Sequence, residues 1–317
     1  MTLTIEAAIG LDPSDPRIEA LCDHLVAHGI GRADAGGETR LTFPHFPGAE
    51  VRLSRLRAGL RLCITAHDTR AFDALRQAVS ASVLQVSGVP VHWSQGEQMP
   101  GLRTLRLAAA QEVSPTLRRL TFSTGDAARF ARLDALHLKM LLPDPARPGE
   151  TVLRKYTVRA VDVAAGRLAI DFVLHRDAGP GAEFARRARI GDAVDVIGPG
   201  GGGLARADWY LFAGDDTALP AIARMLEALP GVARGVALLA AEPVALCAPP
   251  GVAIRWLRGG LPDAVRAVEI PATGRRYVWA GCEYAPFRAI RADLRGRGLA
   301  PDEHLIVSYW RCGVPQS

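Results

Sequence analysis

The sequence predicts a multi-domain protein in which a small α+β unit is followed by an antiparallel β-barrel and by an α/β domain with a parallel sheet. A length of 317 residues is enough for roughly two domains or more. Residues 102–203 hold short β-type runs separated by Gly, Pro and Asp turns, which is typical of a barrel or sandwich. After the hinge at Gly200–Gly203, apolar strands alternate with helices, which indicates a parallel sheet. The predicted domains are residues 1–92, 102–203 and 204–317.

The N-terminal unit is predicted from the order of its periodic segments. An alternating strand comes first, and Asp15-Pro16 then opens a helix with apolar residues at helical spacing. Three further strands precede a second helix, for which Asp68 is the expected N-cap. The predicted order is βαβββα, with strands at 2–9, 40–43, 50–56 and 60–66, a first helix ending at Gly29 and a second at 70–87.

The other two domains are predicted in the same way. Barrel strands are expected at 117–123, 137–142, 156–162, 167–174 and 193–197, with one helix at 181–188. In the last domain, strands are expected at 209–213, 235–240, 253–257, 277–280 and 304–309, and helices at 219–229 and 286–297. Parallel sheets bind ligands at the carboxyl ends of their strands, so a site is expected at that edge.

The composition excludes several classes of protein. Apolar residues make up 49% and charged residues 22% of the chain, an ordinary globular mixture, and no apolar run approaches the ~20 residues of a membrane span. The five cysteines contain no CxxC pair, so neither a zinc site nor an iron–sulfur cluster is expected, and we predict no resident metal. The first residues carry no basic leader segment, and the odd cysteine count fits a reducing compartment; we therefore expect a cytoplasmic protein.

The positive charge is concentrated in the middle of the chain. The net charge is 38 − 33 = +5, and residues 96–207 alone carry 17 basic and 12 acidic side chains. No stripe of basic residues interleaved with aromatics is present, so nucleic acid is not an expected partner. Only two of the basic residues are lysines, Lys139 and Lys155, and both lie in this region. The pattern predicts one region that handles anions.

Two segments of the barrel are suited to a planar ligand that carries phosphate. Strand alternation places Arg154 and Tyr156 on one face and Thr157 on the other, so an aromatic ring lies beside cations and a hydroxyl. The second segment runs from Asp171–His175 to the turn Gly179-Pro180-Gly181 and a helix, where backbone N–H groups can face an anion. Taken singly, the first segment would look the same as an ordinary surface strand, and the second would look the same as an ordinary glycine turn that caps a helix.

Three more segments lie where the parallel sheet gathers its strand ends. Residues 214–220 (GDDTALP) join the first strand of that sheet to its first helix, where a nucleotide pyrophosphate would sit. They match neither a GxGxxG nor a GxxxxGK motif, and Asp216 or Thr217 would also serve as a helix cap. Residues 279–283 and 309–311 end later strands of the same sheet.

Taken together and in this order, the segments resemble the siderophore-interacting protein family of FAD-dependent ferric-siderophore reductases. The resemblance covers about residues 102–315. Residues 1–92 are similar to a small domain of unknown function that is found fused to such reductases. The matching segments are His137-Leu138-Lys139-Met140, Arg154–Arg159, Asp171–His175, Gly179–Ala185, Gly191-Asp192, Gly198–Gly201, Gly214–Ile222, Trp279–Glu283 and Tyr309–Gly313.

The resemblance implies a ferredoxin-reductase-like pair, an FAD-binding barrel followed by an NAD(P)H-binding domain. By matched positions, the residues implied for FAD are Arg154 at the phosphate, Tyr156 against the isoalloxazine, Thr157 near its reactive edge, Asp171, Val173 and His175 at the ribityl or adenosine part, and Gly179, Pro180, Gly181 and Ala182 at the pyrophosphate. Those implied for the nucleotide are Gly214, Asp216, Thr217 and Ala218 at the pyrophosphate and Glu283 near the nicotinamide. Lys139 and Arg311 match basic positions that line the siderophore pocket.

The sequence departs from the family pattern at several of these positions. Arg176 replaces a Gly, Phe184 replaces a Trp, and Ala182 leaves the turn without a hydroxyl, so weaker FAD retention is expected. Cys282 also replaces a Gly; no His lies near it in sequence, and it is interpreted as an inert thiol. Glu242 favours NADH, whereas Arg255 and Arg258 favour NADPH, and both nucleotides stay open.

The function implied is the NAD(P)H-dependent, FAD-mediated reduction of a ferric siderophore, which releases Fe(II) in the cytoplasm. The partner is then a small ferric chelate, and the sequence leaves the oligomeric state open. Two alternatives remain at this point. One is a flavin reductase that serves another electron acceptor, and the other is a siderophore-binding protein without catalysis, for which Arg176, Ala182 and Phe184 are the motivation.

Overall fold

A computed structural model describes residues 2–27, 30–43, 46–57, 59–67, 69–94, 102–144, 151–174 and 179–313 of the chain. The chain divides into two compact units. One consists of Met1–Arg103 with Gly149–Leu153, and the other of Thr104–Pro148 with Arg154–Ser317. The second unit holds both the barrel and the parallel sheet, and the three predicted domain boundaries stay a prediction. Within the described ranges, no helix combines the length and the apolar content that a bilayer crossing needs.

The first unit contains a six-stranded antiparallel sheet with two helices. Its elements are β1 (Leu3–Ile9), α1 (Arg17–Ala27), β2 (Gly31–Ala35), β3 (Glu38–Thr42), β4 (Glu50–Leu56), β5 (Gly59–Ala66), α2 (Thr69–Ser87) and β6 (His92–Trp93). The strands lie in the order β2-β3-β4-β5-β1-β6. Alternate residues of β1, among them Ile5 and Ile9, are buried in a core shared with Leu21 of α1 and Leu75 of α2. The burial of one sheet face explains the alternation in the sequence.

The predicted α+β class of this unit is confirmed, but the predicted order βαβββα lacks two strands. β2 was missed because its sequence, GRADA, is short and exposed and has no apolar alternation. β6 is only two residues long, which is too short for an alternating pattern to indicate it. The predicted N-cap Asp68 and the predicted helix end Gly29 lie outside the described residues.

The barrel of the second unit is closed and antiparallel, as predicted. Its elements are β7 (Leu102–Ser114), β8 (Leu117–Ser123), a short 3-10 helix (Ala127–Ala131), β9 (His137–Pro143), β10 (Thr151–Asp162), β11 (Arg167–Val173), α3 (Pro180–Arg187) and β12 (Ala193–Gly200). The strands follow one another around the barrel as β10-β11-β8-β7-β12-β9. Closure leaves no free sheet edge and brings β9 beside β10, the two strands that carry the lysines.

The rest of the unit is a five-stranded parallel sheet with helices, again as predicted. Its elements are β13 (Trp209–Asp215), α4 (Leu219–Glu227), β14 (Arg234–Ala240), β15 (Val252–Trp256), α5 (Leu261–Arg266), β16 (Arg276–Glu283), α6 (Tyr284–Gly296) and β17 (His304–Trp310). The strand order β15-β14-β13-β16-β17 reverses direction between β13 and β16. In open sheets this reversal marks the ligand-binding crevice. The sequence did not predict α5, which has only six residues.

A buried arginine connects α4 to the barrel. The Arg224 guanidinium is 7% exposed and donates to the carbonyl oxygens of Val158 and Phe130, at 2.7 Å each, and of Arg132, at 3.0 Å. Burial and the nearby charge of Arg159 lower the pKa of Arg224 to about 10, so it is still a cation at neutral pH. Arg159 of β10 forms a two-point ion pair with Glu227 at the end of α4. These contacts fix α4 relative to strand β10.

Arg224→Met is expected to lower the free energy of unfolding by about 2–4 kcal/mol, because three buried carbonyl oxygens lose their donor. Urea unfolding followed by circular dichroism measures this loss. Arg295→Met is the matched control, since Arg295 is an exposed residue of α6, and it should change the unfolding free energy by less than about 0.5 kcal/mol. Equal effects of the two substitutions would show that the Arg224 contacts add nothing to stability.

Candidate functional site

The turn between β13 and α4 lies at the point where the strand order reverses. Gly214 leaves no room for a side chain: a Cβ there would approach Ala218 Cβ and Ile222 Cδ1 at 2.8 Å and Gly281 O at 3.0 Å. Ala218 is the N-terminal cap residue of α4 and offers no side-chain cap. The glycine therefore lets β13, β16 and the start of α4 approach one another closely.

The sequence analysis did not select Asp215, yet four hydrogen bonds converge on its carboxylate. Oδ1 accepts from the Thr217 N–H at 3.0 Å and from the Thr217 hydroxyl at 2.5 Å. Oδ2 accepts from the Glu283 N–H at 2.8 Å and from the Trp310 indole N–H at 2.9 Å. The Asp215 carbonyl also accepts the Ala218 N–H at 3.1 Å. The signal available in the sequence was the position of Asp215 at the end of a buried strand.

In the structure, donors of the turn that was predicted to face a pyrophosphate are already bonded to Asp215. Both donors of Thr217, and the N–H of Ala218, are bonded to Asp215. Asp216 is half-buried next to them. The predicted nucleotide contacts of Gly214, Asp216, Thr217 and Ala218 stay a prediction.

Glu283 lies at the end of β16, on the other side of the crevice. Its carboxylate caps α6 by accepting the Ala285 N–H at 2.5 Å, and it accepts the Cys312 N–H at 3.1 Å. Glu283 was predicted to lie near the nicotinamide. The structure places it beside Asp215, whose carboxylate accepts the Glu283 N–H, and at the same edge of the sheet as Tyr309 and Trp310.

On the barrel side, Tyr156 of β10 packs against the start of α3. Its ring lies 4.6 Å from that of Phe172, centroid to centroid, and Phe172 is 6.0 Å from Phe184. A Cβ on Gly181 would lie only 1.4 Å from the Tyr156 hydroxyl oxygen, so the ring occupies the space that the glycine leaves open. Burial raises the pKa of Tyr156, which keeps the phenol neutral. Arg154 precedes it on the same strand and is half-buried.

Helix α3 begins without a side-chain cap. Gly179 is its N-cap residue, Pro180 occupies the first helical position, and Ala182 is buried. The first N–H groups of a helix have no partner within it and favour an anion. The eight-residue α3 thus offers the arrangement that the sequence predicted for a pyrophosphate.

Asp171 and Val173 follow on β11, where the sequence predicted contacts to the ribityl or adenosine part. The Asp171 carboxylate is buried and accepts two hydrogen bonds from Arg119, at 2.6 and 2.8 Å. The two residues lie directly opposite each other on β11 and β8, and Asp171 raises the pKa of Arg119. Val173 is half-buried against the core of the unit. His175 lies outside the described residues.

One close contact joins the two halves of the site. The side chain of Thr157, on β10 of the barrel, lies next to the phenol of Tyr309, on β17 of the parallel sheet. Thr157 is buried, and burial raises the pKa of Tyr309 to about 12, so the phenol is neutral. The barrel strand predicted to face a flavin therefore meets the sheet edge predicted to bind a nucleotide.

The two lysines of the chain lie close to each other, together with His137. Burial and the charge of Lys155 lower the pKa of Lys139 to about 8, and burial with both lysine charges lowers the pKa of His137 to about 4. Lys155 is exposed as a whole, and desolvation of its ammonium group lowers its pKa. Within the described ranges, no carboxylate pairs with either lysine. Uncompensated neighbouring cations favour an anionic ligand.

Arg311 was predicted with Lys139 as a substrate contact, and it lies at the end of β17. It is exposed, and its guanidinium lies 4.8 Å from the centre of the Tyr284 ring. Cys282 is buried, and burial, with the charges of Asp215 and Glu283, raises the pKa of its thiol to about 12. It is therefore a thiol and not a thiolate at neutral pH, in agreement with the inert thiol that the sequence analysis proposed.

The residues present fit an FAD, on two observations. Helix α3 begins at a glycine without a side-chain cap, where a helix N-terminus favours a pyrophosphate, and Tyr156 lies against it in the space that Gly181 leaves open. Among the described residues, no group of three or more His, Cys, Asp or Glu side chains is arranged to hold a metal ion. The arrangement is that of a redox protein in which a flavin-type barrel is joined to a nucleotide-type parallel sheet.

Comparison with known proteins places the chain in a family of that class. The family model described as "Siderophore-interacting protein" matches residues 207–313, and the one described as "Siderophore-interacting FAD-binding domain" matches residues 145–203. The crystal structure of the siderophore-interacting protein SipS from Aeromonas hydrophila is 33% identical, with a TM-score of 0.61 over 67% of this chain and 92% of that one. The chain belongs to the siderophore-interacting protein family.

Two further proteins show the extent of the likeness. The ferric vibriobactin reductase ViuB of Vibrio cholerae is 29% identical over 243 residues, which is 67% of this chain and 90% of that protein. The ferredoxin-NADP+ reductase of Plasmodium falciparum shares the fold, with a TM-score of 0.53 at 10% identity over 66% of this chain and 96% of that one. The family and the ferredoxin-reductase-like fold that the sequence motifs implied are thus confirmed.

The pKa of Lys139 can be measured directly because the chain has only two lysines. Reductive methylation with carbon-13 labels both side chains, and Lys139→Arg and Lys155→Arg assign the two NMR signals. We expect Lys139 to titrate near pH 8, well below its ordinary value of 10.5. Lys155→Gln should raise the pKa of Lys139, because it removes a nearby like charge. Two signals that both titrate near the ordinary value would contradict the cluster.

Proposed function

We propose that this protein is an FAD-containing NAD(P)H oxidoreductase that reduces the iron of a ferric siderophore in the cytoplasm and so releases Fe(II). The observation that carries this proposal is the contact between Thr157 and Tyr309. It puts the predicted flavin strand next to the predicted nucleotide edge of the sheet, as electron transfer from one cofactor to the other requires. The likeness to a ferric vibriobactin reductase supports the same activity.

The barrel residues would hold the FAD. The N–H groups at the start of α3, from Gly179 to Ala182, would bind its pyrophosphate, and Arg154 would compensate phosphate charge. Tyr156 would lie against the isoalloxazine, and Thr157 would bond near the reactive edge. Bound there, FAD supplies the step from a two-electron hydride donor to the one-electron reduction of iron.

Residues at the strand ends would hold the nucleotide. Gly214 lets the start of α4, where Ala218 is fully buried, lie close to β13 and β16. Asp216 and Thr217 lie at the predicted pyrophosphate position, and Glu283 faces the same crevice from β16. Either NADH or NADPH would serve as donor. Glu242, Arg255 and Arg258, which decide between them, are all exposed.

The lysine cluster would bind the ferric chelate. Lys139 and Lys155 lie together without a paired carboxylate among the described residues, so an anionic chelate would relieve their mutual repulsion. Arg311, which is exposed, adds a third cation on the sheet side. Electron transfer to iron moves no proton at the metal, so the neutral His137 and the buried Cys282 need no acid–base role.

The test measures Fe(II) with a chromogenic ferrous chelator after reconstitution with FAD, with NADH and NADPH as donors. Lys139→Gln should raise the KM for a trianionic ferric tris-catecholate by about tenfold, because it removes one uncompensated cation, and should change the KM for an uncharged ferric trihydroxamate far less. Arg295→Gln, at an exposed site on α6, is the control and should leave both values unchanged.

Three results would contradict the proposal in different ways. Failure to bind FAD would favour a binding protein without catalysis. Turnover of the nucleotide with flavin but without Fe(II) formation would favour a flavin reductase with another acceptor. An unchanged KM for the tris-catecholate in Lys139→Gln would place the chelate away from the lysine cluster.

A further inference from the structure

The Asp215 carboxylate connects three parallel strands at their carboxyl ends. It belongs to β13, and its hydrogen bonds reach Glu283 of β16 and Trp310 of β17 as well as the turn residue Thr217. A carboxylate has about four acceptor positions and no hydrogen to donate. All four donors are thus satisfied by one side chain, and no neutral side chain of this size could accept them all.

The ladder between β16 and β17 is irregular at the same place. Its register shifts between Cys282 and Glu283, so that Glu283 lies opposite Trp310. The Glu283 N–H donates to Asp215. The extra residue of this bulge is Tyr309 of β17, and a bulge redirects the residues around it, here next to the two residues that Asp215 binds.

The segment that Asp215 holds is the one that contacts the barrel. Trp310, its bonding partner, follows Tyr309, which lies next to Thr157, and precedes Arg311, which lies on the Tyr284 ring. The N–H of Cys312 is in turn held by the Glu283 carboxylate. The course of residues 309–312 is therefore set from both sides of the crevice.

We propose that Asp215 is a positioning residue, which fixes Tyr309, Trp310 and Arg311 relative to the turn that binds the nucleotide, and so sets the approach of the nicotinamide to the flavin. The inference rests on the proposed function. Asp215 needs no contact with either cofactor for this role, because it acts through Thr217, Glu283 and Trp310. Small displacements of reacting groups lower rates steeply, about 100-fold for about 1 Å.

The test compares Asp215→Asn, Trp310→Phe and the double variant with Asp208→Asn. The last is a matched control: Asp208 precedes β13 at its other end, and its carboxylate is bonded to the exposed Arg275. An Asn at 215 can accept from only one of the two pairs of donors, since its NH2 group faces the other pair. Its flavin-reduction rate at saturating nucleotide should fall at least about tenfold, with FAD affinity unchanged.

Trp310→Phe should lose less, because it removes one donor of four. The double variant should be no slower than Asp215→Asn alone, since the two residues act through one bond. Asp208→Asn should match the wild type. A normal rate in Asp215→Asn with only a lower melting temperature, or losses that multiply in the double variant, would overturn the positioning role. If Asp215→Asn does not fold, a wild-type rate in Trp310→Phe would overturn it as well.

Hydrogen exchange without cofactors separates this inference from the proposed function. Amides of residues 304–313 and of Glu283 should exchange faster in Asp215→Asn and in Trp310→Phe than in the wild type, and those of β14 should be unchanged. Unchanged exchange at 304–313 would overturn the positioning role even in an active enzyme. If neither NADH nor NADPH reduces the flavin of the wild-type protein, the proposed function is refuted. The exchange result would still decide whether Asp215 holds residues 304–313.

Discussion

The site depends first on the buried guanidinium of Arg224. This side chain leaves α4 and satisfies three carbonyl oxygens of the barrel, so the helix that follows the 214–218 turn is fixed to strand β10. Buried backbone acceptors are costly when they lack a donor, and a charged donor binds them more strongly than a neutral one. The ion pair between Arg159 and Glu227 supports the same attachment. The strand proposed to face the flavin and the turn proposed to bind the nucleotide thereby keep a fixed separation.

Charge is distributed unevenly over the two halves of the site. The barrel strands carry Lys139 and Lys155, which lack paired carboxylates in the described part of the chain. The sheet edge carries Asp215 and Glu283, whose oxygens are used for hydrogen bonds to backbone and indole N–H groups. Among the described residues of these two groups, the charge without a paired partner is therefore that of the barrel lysines. An anionic ferric chelate would be drawn to that side, and the nucleotide edge would be left free for its own ligand.

Much of this could be predicted from the sequence, because hydrophobic periodicity and turn residues fix the elements. The barrel, the parallel sheet and the place of the site at its strand ends followed from local patterns, and the motifs gave the family. The two lysines were noticed because they are rare, but their proximity depends on the closure of the barrel between β9 and β10. The ion pair of Asp171 with Arg119 depends on strand register, which local sequence does not determine.

Asp215 and Arg224 could not be selected from the sequence for the same reason. One looks like an ordinary turn residue and the other like an ordinary helix arginine. The partners that join them to other elements are more than 60 residues away along the chain. Gly181 is another such case. Position 181 requires a glycine because the Tyr156 ring, which comes from strand β10, fills the space that a side chain would need. The local sequence shows only a helix cap. Long-range contacts of this kind decide how the predicted segments work together.

The most direct test of the central claim is the visible absorption spectrum of the FAD-reconstituted protein, recorded without oxygen. Our account predicts that NADH or NADPH bleaches the flavin bands and that a ferric tris-catecholate then restores them, with one Fe(II) formed for each electron delivered. Bands that stay bleached after the chelate is added, or that neither nucleotide bleaches, would contradict it.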